Sequence, residues 1–340
     1  MLAGAFERAG RLLEQWRRTL ILTHDRPDGD AIGCIGAMKR IIERAGRAAD
    51  ACLFQAPPDR YRFIAEACGV SRWPLEPGGP VGPFDGVLIL DTCSWKQLEP
   101  AGDFLRSTPL PKIVVDHHQT RDDLKAASSA WELVSDPSAA SACGLIDEWR
   151  RRQGWSLDAA AREALFAGMA TDTGWFRFPS VDGRTLRAAA GLIEAGVKPD
   201  VMYARLFEGH RPARLRLLRE ALDTLELHED QTVAVMRLTQ AMFLRAGAEP
   251  PDAEDLVNEP LAIGSVIVSV LLSDAEGSGV VRVNFRSRSP EVCGRDIDVS
   301  ALAARFGGGG HARAAGARVQ ATLEAVREQV LAAVAAVLRA

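Results

Sequence analysis

The chain has 340 residues, of which 47% are hydrophobic and 25% charged, close to the average for soluble globular proteins. This length is typical of about two domains, each with its own core. The formal net charge is −4, which argues against binding of duplex DNA over the whole surface, because proteins that do so are usually basic.

Neither export nor membrane anchoring is indicated. Residues 1–18 carry six charged side chains among their apolar ones, which predicts an amphipathic helix rather than a signal peptide. The apolar run around residues 263–272 is shorter than the roughly 20 residues that cross a bilayer. The six cysteines form no Cys-x-x-Cys pair, so we expect reduced thiols rather than a zinc knuckle or a disulfide framework. We therefore expect a cytoplasmic protein that does not contact membranes.

The first half of the chain alternates short aliphatic runs with helical patterns. This predicts an α/β domain with a largely parallel sheet flanked by helices. The predicted strands cover residues 19–23, 51–54, 87–90 and 112–115, and the predicted helices cover residues 30–45, 139–153, 158–170 and 182–195. Gly196 follows the last of these helices as a stop signal. We assign residues 1–200 to this first domain.

The pattern changes after residue 200. Residues 201–228 include a strongly charged stretch with helical periodicity, 211–227, which we interpret as an exposed helix linking two domains. Strand patterns follow at residues 233–238, 265–272 and 280–287. Residues 229–340 are therefore predicted to form a second, smaller α/β domain.

Ionisable side chains directly follow three of the predicted strands. His24 follows the first strand, Asp91 the third, and Asp116 the fourth, with His117 and His118 next to it. Ligand sites in open α/β sheets form at the carboxyl ends of the strands, where the loops converge. We therefore expect these side chains to line one crevice.

The segment from His24 to Gly33 reads His-Asp-Arg-Pro-Asp-Gly-Asp-Ala-Ile-Gly and places two close carboxylates, Asp28 and Asp30, in a turn after a strand. A calcium-binding EF-hand loop is excluded, because the twelfth position from Asp28 is Lys39, where a bidentate glutamate is needed. An isolated aspartate in such a position usually caps the following helix. Together with the other two strand ends, however, these carboxylates favour a metal site.

Several carboxylates in one crevice repel one another unless cations neutralise them. Histidine and carboxylate ligands without thiolates suit Mn²⁺, with Mg²⁺ and Co²⁺ as alternatives. Two such ions about 3.5 to 4 Å apart can stabilise both the attacking and the leaving oxygen of a phosphoryl displacement. The pattern therefore predicts a divalent-cation site, and a pair of ions at such a site would suit phosphoryl displacement.

These residues resemble, in order along the chain, the four motifs of the DHH phosphoesterases. The motifs are carried by the segment from His24 to Gly33, by Asp91, by the triplet Asp116-His117-His118 and by the later Asp172. In the second half, Phe285-Arg286-Ser287-Arg288 and residues 306–311 (Phe-Gly-Gly-Gly-Gly-His) resemble the DHH-associated substrate-binding domain of the oligoribonuclease/pAp phosphatase branch. The resemblance extends over nearly the whole chain.

The resemblance implies a role for each residue of the expected metal site. One ion would be held by His24, Asp28 and Asp91, and the other by Asp30, Asp91, His117 and Asp172, so that Asp91 would bridge the two. His118 would face the scissile phosphate and Asp116 would orient a histidine. A hydroxide held between the ions would attack phosphorus.

Two positions depart from the family pattern. Cys34 replaces the small serine that often follows the first motif, and Gln97 lies near the place of an arginine that usually follows the second. Neither change removes an expected metal ligand, but both alter the substrate contacts expected in that region.

The stretch 280–318 is rich in positive charge, with seven arginines and three acids, a local charge of +4. Arg286 and Arg288 lie two apart on a predicted strand, so they would share a face and could bind phosphate oxygens; a solvated face is the alternative. Four glycines at 307–310 would let main-chain amides approach a phosphate or base, although such tracts are more often linkers. The expected substrate-binding residues are Arg286, Ser287, Arg288, Gly308, Gly309, Gly310, His311 and Arg313.

By this resemblance we expect a metal-dependent exonuclease of short single-stranded oligoribonucleotides that also dephosphorylates 3′-phosphoadenosine 5′-phosphate (pAp). A monomer and a homodimer are both left open. Alternatives with the same metal core are a linear or cyclic dinucleotide phosphodiesterase, a single-strand DNA exonuclease of RecJ type, and a pyrophosphatase or polyphosphatase. An RNA-binding module without catalysis is disfavoured, because every expected histidine and aspartate position is filled.

Overall fold

A computed structural model describes residues 2–73, 83–119 and 121–339. The chain forms two compact units, Met1–Gly209 and His210–Ala340, each with its own sheet and hydrophobic core. No helix in the described part of the chain combines the length and the apolar character needed to cross a membrane.

The N-terminal unit is built on a six-stranded sheet in which every strand is parallel to its neighbours. Its strands are β1 (Arg18–Leu22), β2 (Ala48–Leu53), β3 (Ser71–Arg72), β4 (Gly86–Leu90), β5 (Lys112–Asp116) and β6 (Trp131–Ser135). Their order across the sheet is β3-β2-β1-β4-β5-β6. The predicted parallel α/β fold is confirmed, and β3 and β6 are strands that the sequence pattern did not predict.

Helices cover both faces of this sheet. They are α1 (Leu2–Glu14), α2 (Gly29–Arg44), α3 (Arg62–Cys68), α4 (Gly102–Ser107), α5 (Ala142–Gln153), α6 (Ala159–Asp172), α7 (Gly183–Glu194) and α8 (Pro199–Phe207). Ile21 and Leu88 belong to the core on one face, and Leu20 and Val87 to the core on the other. Burial on both faces explains why these strands read as continuous apolar runs rather than as alternating patterns.

Glycines allow α2 and α6 to pack unusually closely. A Cβ atom at Gly33 would lie 2.5 Å from the carbonyl oxygen of Ala164, and one at Gly168 would lie 2.9 Å from Oδ1 of Asp30. Neither position has room for a side chain. The close approach matters for the site, because Asp30 lies in the first turn of α2 and Asp172 is the last residue of α6.

The C-terminal unit contains a six-stranded mixed sheet in the order β11-β12-β10-β9-β8-β7. Its strands are β7 (Glu226–His228), β8 (Val233–Thr239), β9 (Val268–Asp274), β10 (Val280–Ser287), β11 (Gly309–His311) and β12 (Ala314–Gln320). Its helices are α9 (Pro212–Leu222), α10 (Gln240–Ala246), α11 (Pro290–Cys293), α12 (Val299–Ala304) and α13 (Leu323–Arg339). Strands β8 and β9 pair in parallel, and the other neighbouring strands of this sheet are antiparallel.

The two faces of this second sheet are covered differently. Val283 and Phe285 on β10 pack into a core with α12 and α13 on one face. On the other face, Leu271 packs with residues of α9 and α10. The helix predicted over residues 211–227 ends at Leu222, and it buries Leu217 in this core instead of lying fully exposed.

Candidate metal centre and substrate site

The side chains predicted to bind metal converge at the carboxyl end of the parallel sheet. Residues after β1, β4 and β5 meet the start of α2 and the end of α6 there. Their ligand atoms form overlapping groups with all atoms of a group within 4.8 Å of one another: His24, Asp28 and Asp91; Asp30, His117 and Asp172; and Asp91, His117 and His118. The crevice predicted from the strand ends is therefore present.

Asp28 serves the helix and remains available to a ligand. Its Oδ1 atom accepts hydrogen bonds from the amides of Asp30 and Ala31, at 3.0 and 3.1 Å, and so caps α2. Capping uses one carboxylate oxygen and leaves the other, so the helix cap and the metal ligand are compatible roles. A carboxylate at this position is also favoured by the partial positive charge of the helix N-terminus.

Asp91 occupies the centre of the cluster. It is 2% exposed, and its Oδ1 atom has no hydrogen-bond partner among the described residues. Its Oδ2 atom lies 3.6 Å from Nε2 of His24, and its Oδ1 atom lies 3.5 Å from Nε2 of His117. The backbone of Asp91 is left-handed, with φ of 59°, a strained conformation that is often found at functional sites.

Asp30 is buried and held by two main-chain amides. The amide of Ala142 donates to its Oδ2 atom at 2.6 Å, and the amide of Cys143 donates to its Oδ1 atom at 2.9 Å. These amides belong to the first turn of α5, where unpaired N–H groups favour an anion. They fix the orientation of the carboxylate towards the crevice.

His117 presents Nε2 to three carboxylates. Its Nδ1 atom lies 3.1 Å from the carbonyl oxygen of Ala139, so Nδ1 is the nitrogen that donates and Nε2 is left as an electron-pair donor. The Nε2 atom lies 3.4 Å from Oδ2 of Asp172, 3.5 Å from Oδ1 of Asp91 and 4.0 Å from Oδ2 of Asp30. This arrangement suits a neutral imidazole that binds a metal.

His118 is anchored on a different group. Its Nδ1 atom lies 2.7 Å from Oδ1 of Asp116, a fully buried carboxylate at the end of β5. This hydrogen bond raises the pKa of His118 above its usual value. Asp116 thus orients His118, the residue that the resemblance places beside the phosphate.

The electrostatics of the cluster favour bound cations. Burial raises the pKa of Asp91 well above its usual range, with Asp30 as the next cause, and burial likewise raises the pKa of Asp172 well above its usual range. Burial also raises the pKa of Asp30 and lowers that of His24. Divalent cations fit this cluster for three reasons. Its adjacent carboxylates cannot all ionise by themselves, one Asp91 oxygen has no partner in the described part of the chain, and both imidazoles have fixed orientations.

Main-chain groups of the site were not predicted. The carbonyl of Ala139 and the amides of Ala142 and Cys143 orient His117 and Asp30, and residue type carries little information about such contacts. Gln97 also contributes through its backbone, because its carbonyl accepts a hydrogen bond from the amide of Asp25 at 2.9 Å.

In the C-terminal unit, strand register brings two expected substrate residues into one row. Arg286 on β10 pairs with Ala314 on β12, which pairs on its other side with His311 on β11. Directly paired residues of antiparallel strands share a face of the sheet. Arg286 and His311 therefore lie on the same face, separated by a single alanine.

The glycines of the 307–310 tract differ in how much space the fold leaves for a side chain. A Cβ atom at Gly308 would lie 2.1 Å from the carbonyl oxygen of Gly316, and one at Gly310 would lie 2.5 Å from that of Ala314. Gly310 also has a positive φ of 147°. Gly309 has open space around its Cβ position and is exposed. The second half of the tract, Gly309 and Gly310, begins β11, so the tract lies within the unit and is not a linker.

Three expected substrate residues form hydrogen bonds with other residues of the same unit. Ser287 is buried and donates to the carbonyl of Ile297. Arg288 follows the end of β10 and donates to the carbonyls of Leu261, Ile263 and Val266. Arg313 donates to the carbonyl of Ile297 and pairs with Asp296. Arg288 therefore does not extend the strand face on which Arg286 lies.

Comparison with known proteins identifies two domains in the chain. Residues 18–169 match the DHH family, N-terminal domain, and residues 230–340 match the DHHA1 domain. The chain thus carries a DHH domain followed by a DHHA1 domain, and it is a hydrolase of the phosphodiesterase and phosphatase class.

Similar proteins are found over most of the chain. The bifunctional oligoribonuclease and PAP phosphatase NrnA of Thermus thermophilus is 29% identical over 321 residues, which cover 91% of this chain and 89% of that protein. The Bacillus subtilis protein of the same name is 25% identical over 313 residues, covering 91% of this chain and 92% of that protein. An exopolyphosphatase-related protein from Bacteroides fragilis has the same fold, with a TM-score of 0.86, 24% identity and coverage of 96% of this chain and 95% of its own.

Proposed function

We propose that this protein hydrolyses short oligoribonucleotides and pAp at the cluster around Asp91, with two divalent cations, Mn²⁺ above all. The observation that carries the proposal is the group of buried carboxylates and oriented imidazoles, with an Asp91 oxygen that has no partner among the described residues. The proteins from Thermus thermophilus and Bacillus subtilis, whose names include both activities, support the choice of substrates.

Two groups of ligands share Asp91 in this proposal. His24, Asp28 and Asp91 would hold one cation, and Asp30, Asp91, His117 and Asp172 would hold the other. Cations bound there would neutralise charge on the phosphoryl oxygens and lower the pKa of water. The chain's own contribution is orientation: the α5 amides hold Asp30, and the carbonyl of Ala139 keeps Nε2 of His117 directed at the carboxylates.

His118 is the residue that we assign to the substrate phosphate. Its side chain is 30% exposed, whereas that of His117 is 12% exposed, and Asp116 holds its Nδ1 atom. With Nδ1 engaged by a carboxylate, the opposite edge of the ring can donate a charge-assisted hydrogen bond to a phosphoryl oxygen. Asp116 acts as a positioning residue, since it reaches the substrate only through His118.

Binding of the substrate's other groups is assigned to the C-terminal unit. Arg286 and His311 share a row on one face of its sheet, with the exposed Gly309 on the same strand as His311. The other expected substrate residues stabilise this surface, because they form hydrogen bonds to the protein's own carbonyls or pack closely against its backbone. They are Ser287, Arg288, Gly308, Gly310 and Arg313. An arginine and a histidine in one row suit a phosphate group.

A parallel assay of purified protein with Mn²⁺ tests this function. The substrates are RNA two-mers to five-mers, pAp, a cyclic dinucleotide, single-stranded DNA, duplex DNA and pyrophosphate. We expect mononucleotides from the short RNAs, AMP and phosphate from pAp, and much slower turnover of the others. Preferential hydrolysis of single-stranded DNA, a cyclic dinucleotide or pyrophosphate would replace the proposed substrate with that one.

A further inference from the structure

The face of the C-terminal sheet that carries Arg286 extends to a second cationic row. Residues that alternate along β10 share this face with their partners on β12. Arg282 pairs directly with Arg318, two positions beyond the row formed by Asn284, Gly316 and Gly309. Both Arg282 and Arg318 are exposed. The face thus has an arginine row at each end and a row without a large side chain between them.

The pairing of Arg282 with Arg318 is unfavourable by itself. Like charges directly opposite each other in an antiparallel pair destabilise the sheet. Among the residues that the structure describes, no acidic side chain forms an ion pair with either guanidinium. Arg286, by contrast, lies 3.7 Å from Asp255. Two adjacent arginines without acidic partners in the described part of the chain concentrate positive charge that an anionic ligand from solution can neutralise.

The middle row leaves space between the two cationic rows. Gly316 and Gly309 have no side chains, and no atom of the described residues lies within 4 Å of a Cβ atom placed at Gly309. Successive residues on one face of a strand are about 7 Å apart, so the Arg282 row is about 14 Å from the Arg286 row. A strand with several phosphates is long enough to contact both rows.

We propose that Arg282 and Arg318 form a second phosphate-binding subsite, which contacts an additional backbone phosphate of single-stranded RNA longer than the minimal substrate. The subsite rests on the proposed function, because it takes the same RNA strand that Arg286 anchors. It favours longer members of the substrate range and contributes nothing to pAp. Its contribution is electrostatic and depends on neither base identity nor bound metal.

Binding in EDTA separates this subsite from catalysis. Fluorescence anisotropy of a 5′-labelled pentaribonucleotide gives the affinity of the full-length protein at several salt concentrations, and unlabelled pAp is measured by competition. For the double variant Arg282→Ala/Arg318→Ala we expect pentaribonucleotide binding to weaken roughly three- to tenfold, with a salt slope smaller by about 0.7 for each phosphate that the variant no longer neutralises. The affinity for pAp should not change.

Matched variants show whether charge or fold is responsible. Arg282→Lys/Arg318→Lys should retain most of the salt slope, and Arg339→Ala, which removes an arginine from α13 on the opposite face, should bind like the wild type. Equal pentaribonucleotide affinity and salt slope in the double alanine variant and the wild type would overturn the subsite. That result would leave the proposed function intact if the wild type still cleaves RNA. A wild type that neither binds nor cleaves the pentaribonucleotide would overturn both the subsite and the proposed function.

Discussion

His117 and His118 are adjacent in sequence, but their imidazole rings are anchored on different groups. Nδ1 of His117 faces the carbonyl of Ala139, and Nδ1 of His118 faces the carboxylate of Asp116. The first anchor directs Nε2 of His117 at Asp30, Asp91 and Asp172. Replacement of the two histidines should therefore impair different properties of the protein.

Metal analysis distinguishes the two histidines. His117→Ala should bind one fewer Mn²⁺ per chain, because it removes a ligand atom from the Asp30 and Asp172 group. His118→Ala should keep both ions and lose rate, roughly 100-fold or more, because it removes a donor to the phosphoryl group. Asp116→Asn should show a smaller loss, about 10- to 100-fold, with metal retained. Equal metal loss in the two alanine variants would refute the separate roles.

Close packing of α2 and α6 is required to position Asp30. Gly168→Ala would place a methyl group 2.3 Å from Sγ of Cys143 and 2.9 Å from Oδ1 of Asp30. We expect it to destabilise the protein by about 1–3 kcal/mol and to reduce Mn²⁺ affinity. Gly191→Ala on α7 is the control, since no atom in the described part of the chain lies within 4 Å of its Cβ position, and it should stabilise the helix by about 0.5–1 kcal/mol. Urea unfolding and metal titration measure both effects; similar behaviour of the two variants would contradict the packing argument.

The glycine tract offers a pair of neighbouring substitutions with opposite expectations. Gly308→Ala meets the carbonyl of Gly316 and should lower the free energy of unfolding by about 1–3 kcal/mol. Gly309→Ala meets open space, so its stability should stay within about 0.5 kcal/mol of the wild type. Its KM for RNA dinucleotides should rise, because the methyl group occupies the surface beside His311. An unchanged KM would show that the substrate does not approach Gly309.

Arg286 and Arg288 should separate binding from stability. Arg286→Ala should lower kcat/KM for RNA dinucleotides roughly ten- to a hundredfold, with metal content unchanged and a smaller loss of stability than in Arg288→Ala. Hydrolysis of a small artificial phosphodiester, which does not need this anchor, should be nearly unaffected. Arg288→Ala should instead lower the free energy of unfolding by about 1–3 kcal/mol, because three carbonyls lose their donor. If Arg286→Ala mainly lowered stability and Arg288→Ala mainly lowered kcat/KM, the roles assigned to the two arginines would have to be exchanged.

The convergence of these side chains was predictable from the sequence, because the ends of parallel strands determine which residues meet. His24, Asp91 and Asp116 each lie at or directly after the end of a parallel strand, and parallel strands end at one edge of the sheet. The orientation of each imidazole was not predictable, since it depends on a carbonyl or carboxylate brought near by folding.

Other features were missed for specific physical reasons. Strand β6 is mostly half-buried and lacks the continuous apolar run of β4 and β5. Helix α13 buries valines at 326, 330 and 334, and β-branched residues are a weak signal for a helix. The row that contains Arg286 and His311 depends on the register between β10 and β12, whose paired residues Arg286 and Ala314 are 28 positions apart in sequence, and local patterns do not encode such a register.

The most direct test of the account is turnover of an RNA dinucleotide by wild type and Asp91→Asn over a range of Mn²⁺ concentrations and in excess EDTA. Asparagine keeps the shape of the side chain and tolerates the left-handed backbone of this position, so the variant should fold. We expect no turnover in EDTA, recovery with Mn²⁺ in the wild type, and a loss of roughly 1000-fold or more in Asp91→Asn. Sustained turnover in EDTA, or near wild-type kcat in Asp91→Asn, would contradict a cation-dependent centre built around Asp91.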